Sequence, residues 1–235
     1  MIITILVVLL VVAAAAGLFV HACYSPTSTL FGPALMRGPS NAQKVALTFD
    51  DGPAPPYTDK ILDILRDKNV SATFFVCGHN VDRHPEIVRR VVREGHTLGN
   101  HTYSHLSLFM RSAQRMAGEI DRAQAAIERV AGVRPKIFRP PYGARFPGLM
   151  GVLAERGLRL VMWSASGRDW KLPTKGIVES VLRELKPGAV ILLHDGRGID
   201  GLSEIDRSST VEALSDIITR IREAGFEIVP LSDFL

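Results

Sequence analysis

The stretch that decides the fold of this chain is Val45-Ala-Leu-Thr-Phe-Asp-Asp-Gly-Pro53, a short apolar run that ends in two adjacent carboxylates. The apolar run predicts a strand, and the Gly and Pro that follow it predict a turn. Asp50 and Asp51 leave the end of this strand in different directions, so one can bind a metal ion while the other handles a proton. For the tripeptide taken alone, a solvated turn is the simpler interpretation.

Short apolar runs alternate with helical patterns from this strand to the C-terminus. Strands are predicted at residues 45–49, 72–76, 97–100, 136–138, 158–163, 190–193 and 226–229. Helices are predicted after Thr58 and Pro85, from about Ser112, near 147–156 and 174–185, and around 211–221, with Thr58 as a cap and Gly95 and Gly132 as stops. This alternation predicts an α/β protein of about seven strand-helix units with a parallel sheet, either closed as a barrel or open and doubly wound.

The composition is that of a globular protein with mild positive charge. The 235 residues are 46% hydrophobic and 22% charged, and the formal net charge is +4. Since no Lys/Arg run or basic-aromatic interleaving accompanies this charge, the sequence does not indicate nucleic-acid binding. No obligate protein partner is inferred.

The N-terminus predicts attachment to a membrane. Residues 1–20 carry no charge and are long enough to cross the hydrocarbon core as a helix, so we expect an uncleaved anchor, with residues 21–43 as a linker and 44–235 as the globular domain. A cleaved signal segment or a lipoprotein form processed at Cys23 are the alternatives. The orientation stays open because no positive charge precedes the segment. Cys23 and Cys77 are not expected to pair, and Cys77 is expected to be a buried hydrophobe.

Charged and imidazole side chains recur at the carboxyl ends of the predicted strands, where active-site loops gather in parallel α/β folds. Asp50 and Asp51, His101, Arg139, Asp169 and His194 all take such positions. His101 and His105 are four residues apart, which on a helical turn would let both imidazoles bind one metal ion. With one carboxylate they would form a three-ligand set that leaves open coordination positions, as a catalytic metal requires.

Five ordered motifs resemble those of the NodB-type polysaccharide deacetylases, carbohydrate esterase family 4. They are Thr48-Phe-Asp-Asp-Gly52, His101-Thr-Tyr-Ser-His105, Arg139-Pro-Pro-Tyr-Gly143, Asp169-Trp170 and Leu192-Leu-His-Asp195. The resemblance implies a distorted (β/α) barrel and metal-dependent removal of N-acetyl, sometimes O-acetyl, groups from glycans. One position departs from the pattern, because the family commonly has an acidic residue where this chain has Ser166.

The resemblance also implies roles at matching positions. Asp51 resembles the metal-ligating aspartate, with His101 and His105 as its partners. Asp50 resembles the general base, and Arg139 resembles the arginine that holds this base and keeps it ionised.

The remaining motifs imply the other half of the reaction. His194 resembles the general acid and Asp169 the carboxylate that orients it. The backbone N–H of Tyr142 would help to hold the oxyanion, and Trp170 and Leu192 would line the substrate pocket.

The sequence therefore predicts a membrane-anchored hydrolase whose catalytic domain lies outside the cytoplasm. It would remove N-acetyl groups from N-acetylglucosamine-containing polysaccharide, such as peptidoglycan or a chitin-like glycan, with one divalent ion. Zinc is the first choice, with cobalt or manganese as alternatives. Two other functions stay open, a deacylase or deformylase of a lipid-linked sugar and a non-catalytic carbohydrate-binding barrel. The polar segment 197–207 is interpreted as a solvated loop, with a mobile lid as the alternative.

Overall fold

The structure is a computed structural model that describes residues 1–196 and 206–235. Its strands are β1 Lys44–Asp50, β2 Thr73–Val76, β3 Thr97–Asn100, β4 Ile137–Phe138, β5 Arg159–Leu160, β6 Ala165–Ser166, β7 Val190–His194 and β8 Glu227–Ile228. Its α-helices are α1 Ile2–Tyr24, α2 Tyr57–Asp67, α3 Gly78–Arg83, α4 Pro85–Arg93, α5 Ala113–Ala131, α6 Leu149–Glu155, α7 Thr174–Glu184 and α8 Ser208–Glu223. Short 3-10 turns cover Pro141–Gly143 and Leu231–Phe234.

The strands form one curled parallel sheet with the order β5-β4-β3-β2-β1-β7-β6, and β8 pairs with the start of β1. Within the part of the chain that the structure describes, β5 and β6 do not pair, so the barrel has an open seam between them. The predicted distorted (β/α) barrel is therefore confirmed. Because every pairing is parallel, all carboxyl strand ends lie at one edge of the sheet.

Strand β1 shows how the sequence divides its side chains between two environments. Val45, Leu47 and Phe49 belong to the large apolar core between the sheet and the helices. Alternate residues point to the opposite face, where Ala46 joins a smaller apolar cluster with Phe75 and Val190 inside the barrel. Asp50 continues this inward-facing series at the end of the strand, which directs its carboxylate into the barrel mouth.

The segment before β1 covers the open seam of the barrel. Leu35 N donates to Leu160 O, and Met162 N donates to Leu35 O, each at 2.8 Å. Gly38 N donates to Gly188 O at 2.8 Å, close to the start of β7. The predicted strand at 158–163 is too long, since Met162 pairs with this covering segment, and the short strand β6 was not predicted. The domain boundaries at residues 20 and 43 stay a prediction.

Helix ends follow the expected chemistry in α5 but not in α2. The Ser112 hydroxyl accepts from Arg115 N at 3.2 Å, and Gly132 closes α5 in the left-handed region at φ 68°. The prediction that Thr58 caps a helix was wrong, because α2 begins at Tyr57 and the Thr58 hydroxyl instead contacts a carboxylate of the site.

Helix α1 has 23 residues with a hydropathy of 3.0 in its most apolar window, none of which is buried in the protein. It is long and apolar enough to cross a membrane. Ala22 and Cys23 near its end are buried against the rest of the protein. Cys23 and Cys77 are both free and buried; the burial of Cys77 was predicted, and that of Cys23 was not.

Candidate active site

The carboxyl edge of the sheet carries a cleft of about 440 Å³. It is lined by Asp50, Asp51, His101, His105, Tyr142, Gly143, Trp163, Trp170, Leu192, His194 and Arg207. Residues from five motifs that are up to 144 positions apart in sequence, from Asp50 to His194, thus share one cavity.

Asp51, His101 and His105 meet on one side of the cleft. Asp51 Oδ1 lies 3.2 Å from His101 Nε2 and 3.0 Å from His105 Nε2, and one donor atom from each residue lies within 4.8 Å of the others. Burial opposes ionisation of Asp51, but hydrogen bonds and charge from the two histidines outweigh it and hold its pKa well below the usual range. The carboxylate is therefore ionised and available as a ligand at neutral pH.

The two histidines do not lie on a helical turn, so that expectation was wrong. Residues 101–105 form an irregular loop in which Thr102 and His105 have positive φ angles of 65° and 54°. His101 Nδ1 lies 2.7 Å from Arg139 O, and since a carbonyl can only accept, Nδ1 carries a proton and Nε2 is the nitrogen directed at Asp51. The backbone of this loop, and not a helical turn, directs both imidazoles to the same carboxylate.

The chemistry of this donor set fits a divalent metal ion. Two imidazole nitrogens and one carboxylate oxygen are ligands that zinc, cobalt and manganese accept, and three protein ligands leave positions open toward the cleft. His101 also shows the carbonyl-oriented imidazole that is common at metal sites.

A second layer of buried contacts fixes the turn that carries Asp51. Asp51 has a φ of 80°, and its carbonyl accepts from Asn80 Nδ2 at 2.8 Å. Asp195 accepts from Gly52 N at 3.1 Å and from the Thr58 hydroxyl at 2.7 Å. A Cβ at Gly52 would lie 2.0 Å from Asp195 Oδ2, so the turn requires glycine here.

Asp195 itself is buried and titrates unusually. Burial raises its pKa to about 7, with the Asp51 charge acting in the same direction and the Thr58 hydrogen bond opposing it. Sequence reasoning assigned no role to Asp195, and it interpreted Thr58 only as a helix cap. The only sequence signal for Asp195 is its position directly after His194.

Asp50 lies on the inner face of β1 and is held by Arg139. Arg139 Nη1 donates to Asp50 Oδ1 at 2.7 Å and to the Thr48 hydroxyl at 2.8 Å, and its Nη2 donates to Met162 O at 2.9 Å. The guanidinium stacks over the Phe75 ring at 4.1 Å. Because the arginine is fully buried, this charge pair is strong and fixes the carboxylate orientation.

His194 ends β7 beside Asp50 and forms a second, largely buried pair with Asp169. Asp169 Oδ1 lies 2.8 Å from His194 Nδ1, and Asp169 Oδ2 accepts from His194 N and from the Thr210 hydroxyl. Burial opposes protonation of the imidazole, but the charge and hydrogen bond of Asp169 outweigh it and raise the pKa of His194 to about 9. His194 is thus a proton donor at neutral pH, with Nε2 as the nitrogen not engaged by Asp169.

Three predicted pocket residues border the cleft. Tyr142 lies in the 3-10 turn with φ 59°, and its ring centroid is 4.7 Å from that of His105. Trp170 is half exposed and stands edge-on to His194 at 5.3 Å. Leu192 is buried at the cleft floor. Trp163 lines the cleft as well but was not predicted as a site residue.

At Ser166, where the resemblance led us to expect an acidic residue, helix α7 supplies a carboxylate instead. Glu184 accepts from Ser166 N at 2.9 Å and from Arg168 Nη2 at 3.1 Å. The loop before Asp169 is therefore tied to α7 by an acidic side chain that comes from another part of the chain.

The segment 197–207, interpreted above as a loop or lid, lies outside the described residues except for Asp206 and Arg207. Arg207 is buried, lines the cleft and donates through Nε to Gly196 O at 2.8 Å. Sequence reasoning gave this arginine no role.

Comparisons with known proteins point to one family. Residues 37–161 match the family model described as polysaccharide deacetylase. A peptidoglycan-N-acetylglucosamine deacetylase from Bacillus cereus is 40% identical over 83% of this chain and 69% of its own length. A chitooligosaccharide deacetylase from Bradyrhizobium sp. is 40% identical over 82% of this chain and 90% of its own length. The crystal structure of the Bc1960 peptidoglycan N-acetylglucosamine deacetylase superposes with a TM-score of 0.80 at 37% identity, covering 86% of this chain and 92% of that one.

Proposed function

The chain belongs to the polysaccharide deacetylase family and is a polysaccharide deacetylase; we propose that it removes N-acetyl groups from N-acetylglucosamine residues with the help of one divalent metal ion. The observation that carries this proposal is the convergence of Asp51, His101 and His105 with Asp50 and His194 in one cleft. A ligand set, a base and an acid in one cavity supply what amide hydrolysis needs.

Asp51, His101 and His105 would hold the ion, with zinc as the first choice and cobalt or manganese as alternatives. A cation bound there would polarise the acetamide carbonyl and make a nearby water more acidic. Two observations support this assignment: Asp51 is ionised, and the contact of His101 Nδ1 with a carbonyl directs Nε2 to the same point as the Asp51 carboxylate.

Asp50 would act as the general base that accepts a proton from the attacking water. Its carboxylate reaches the same side of the cleft, with Oδ2 4.0 Å from His101 Nε2. Arg139 binds the other oxygen at 2.7 Å, which orients the carboxylate. In this proposal Asp50 accepts the proton and Asp51 binds the ion.

His194, which ends the strand next to that of Asp50, would protonate the departing amine. Asp169 fixes Nδ1 and raises the pKa of the imidazole, so the proton that is transferred sits on Nε2. The Tyr142 backbone N–H would stabilise the oxyanion. Trp170 and Leu192 would give the acetyl methyl and the sugar ring an apolar wall.

The substrate would be an acetylated glycan outside the cytoplasm, reached by a domain that α1 anchors to the membrane. The B. cereus and Bradyrhizobium relatives carry names that specify peptidoglycan and chitooligosaccharide respectively, and both polymers contain the same acetamide group. We place peptidoglycan N-acetylglucosamine first, since an anchored enzyme of this type meets cell-wall strands most directly.

Acetate release tests the proposal. The full chain in detergent, loaded with zinc, would be incubated with peptidoglycan, chitin oligomers and an O-acetylated glycan, with the Asp50→Asn variant as the matched inactive control. We expect acetate and free amine from at least one N-acetylated substrate, and inhibition by a chelator that added zinc reverses. Full turnover by metal-free protein, or no acetate from any of these glycans, would overturn the proposal.

A further inference from the structure

The end of helix α1 is fastened to the loop that carries Tyr142. Arg145 is buried, and its guanidinium donates to Ser28 O at 2.6 Å, to Ala22 O at 3.3 Å and to Ser25 O. Its backbone N–H donates to Cys23 O at 2.8 Å. A single side chain therefore satisfies carbonyls at the end of α1 and in the turn after it, where helix carbonyls otherwise lack partners.

Aromatic contacts extend this fastening to both loops at the cleft edge. Phe19 packs edge-on against Phe146 at 6.0 Å, and Tyr24 packs against Phe109 at 5.5 Å. Phe109 and Phe146 pack against each other at 5.6 Å. The loop after β3, which carries His101 and His105, and the loop after β4, which carries Tyr142, are thus both joined to the helix.

The same face presents apolar side chains to solvent beside the apolar helix. Met110, next to Phe109 in sequence, is 71% exposed, and Leu30, next to a ring that packs against α1, is 64% exposed; Phe109 and Phe146 are half-buried. We call these four residues the rim. Arg111 follows Met110 directly and is exposed, which would place a positive charge at the level of anionic lipid headgroups.

We propose that the rim rests on the lipid bilayer in which α1 is anchored, so that the cleft opens beside the membrane surface at a fixed orientation. The occupant of this surface is bilayer lipid, since the rim is continuous with a helix whose apolar surface is not covered by protein. Interfacial helices and aromatic belts bind membranes in this way. The inference rests on the membrane anchoring proposed above but not on the choice of glycan.

This arrangement restricts the substrate. A cleft held at the bilayer favours glycan segments that lie close to the membrane over segments deep in a polymer layer. Arg145 is the positioning residue, because it joins the helix to the cleft loop without contacting the cleft itself.

Fluorescence quenching by brominated lipids tests the inference. The full chain would be reconstituted in phosphatidylcholine–phosphatidylglycerol vesicles with brominated acyl chains, carrying Met110→Trp at the rim or Val133→Trp as the matched control. Val133 is also partly exposed but lies before β4, at the opposite edge of the sheet. The native Trp163 and Trp170 contribute the same background to both variants.

We expect the indole added at position 110 to lose most of its fluorescence and the one at position 133 to lose none. Adding Arg145→Gln to the rim variant should reduce the quenching, because Gln cannot reach three carbonyls. Equal quenching at both positions, absence of quenching at position 110 with the protein retained on vesicles, or loss of the protein from vesicles after a salt wash would each overturn the inference. Acetate release from soluble oligomers, measured on the same samples, reports separately on the proposed function and on folding.

Discussion

Two buried histidines at opposite edges of the same sheet behave in opposite ways. His194 ends β7 at the carboxyl edge, and its pKa is raised to about 9 because Asp169 outweighs the effect of burial. His96 precedes β3 at the amino edge, and burial lowers its pKa although Glu94 lies nearby. His96 Nδ1 accepts from Ala72 N at 3.1 Å, which requires the neutral ring.

The difference lies in how each neighbouring carboxylate is engaged. Asp169 directs one oxygen to the His194 ring at 2.8 Å. Glu94 is instead committed to Arg90, which donates to its Oε1 at 2.7 Å. Burial alone therefore makes a neutral, structural imidazole, and only a dedicated carboxylate makes a protonated one that can serve as an acid.

The largest loss of activity is expected from a change at His101, the histidine that faces Asp51. His101→Ala removes one of three ligand atoms, so bound zinc should fall below stoichiometric amounts and kcat should drop about 10³-fold, equivalent to several kcal/mol of transition-state stabilisation. Metal content by elemental analysis and acetate release check this. Retention of one zinc per chain would remove His101 from the ligand set, and His96→Phe serves as the control with unchanged metal content.

Asp50→Asn should separate proton transfer from metal binding within the same cleft wall. Because Arg139 binds Asp50 while Asp51 faces the histidines, we expect bound zinc to be unchanged and kcat to fall about 10²–10⁴-fold, the usual contribution of a general base. Single-turnover acetate release with metal analysis measures both. Wild-type turnover in this variant would refute the role of Asp50.

Asp169→Asn should lower the pKa of His194, as burial lowers that of His96. The neutral amide removes the interaction that raises the His194 pKa, so the imidazole loses its proton at lower pH. Since the acid form is active, wild-type kcat declines as pH rises through about 9, and this decline should move toward neutral pH in the variant. A pH profile of kcat checks the shift, and an unmoved alkaline limb would contradict the assignment.

The smallest effect on catalysis is expected at His96. His96→Phe keeps the ring that packs against Phe74 but leaves Ala72 N without its acceptor, so we expect a loss of about 1–3 kcal/mol of unfolding free energy with unchanged kcat. The folded pKa of His96 is lowered, so its contribution to stability is present above the unfolded pKa and is lost as pH falls below it. Urea unfolding at several pH values should show a weaker acid dependence in the variant. A stability equal to that of wild type would contradict this account.

Local pattern was sufficient to predict the strand-helix alternation and the positions of chemistry-bearing residues at strand ends. It placed His101 and Asp50 at the correct edge because side-chain alternation and parallel pairing are fixed by short-range geometry. It failed for the helical turn at 101–105, where Thr102 and His105 have positive φ angles and Gly78 N, from another part of the chain, donates to Thr102 O. It also missed Thr58, since a threonine near a helix start looks like a cap whatever it contacts.

The sequence by itself determined the strand-helix alternation, the family motifs and the presence of an apolar N-terminal helix, because each is encoded in residues that are adjacent or regularly spaced. The barrel was implied only by the family resemblance, since the alternation alone also fits an open sheet. The tertiary structure alone decided which backbone group each buried charged side chain binds. Asp195 binds Gly52 N, Glu184 binds Ser166 N, and Arg145 binds the carbonyls after α1. Such contacts join residues more than a dozen positions apart, and their strength depends on burial and exact distance, which exist only once the chain has folded.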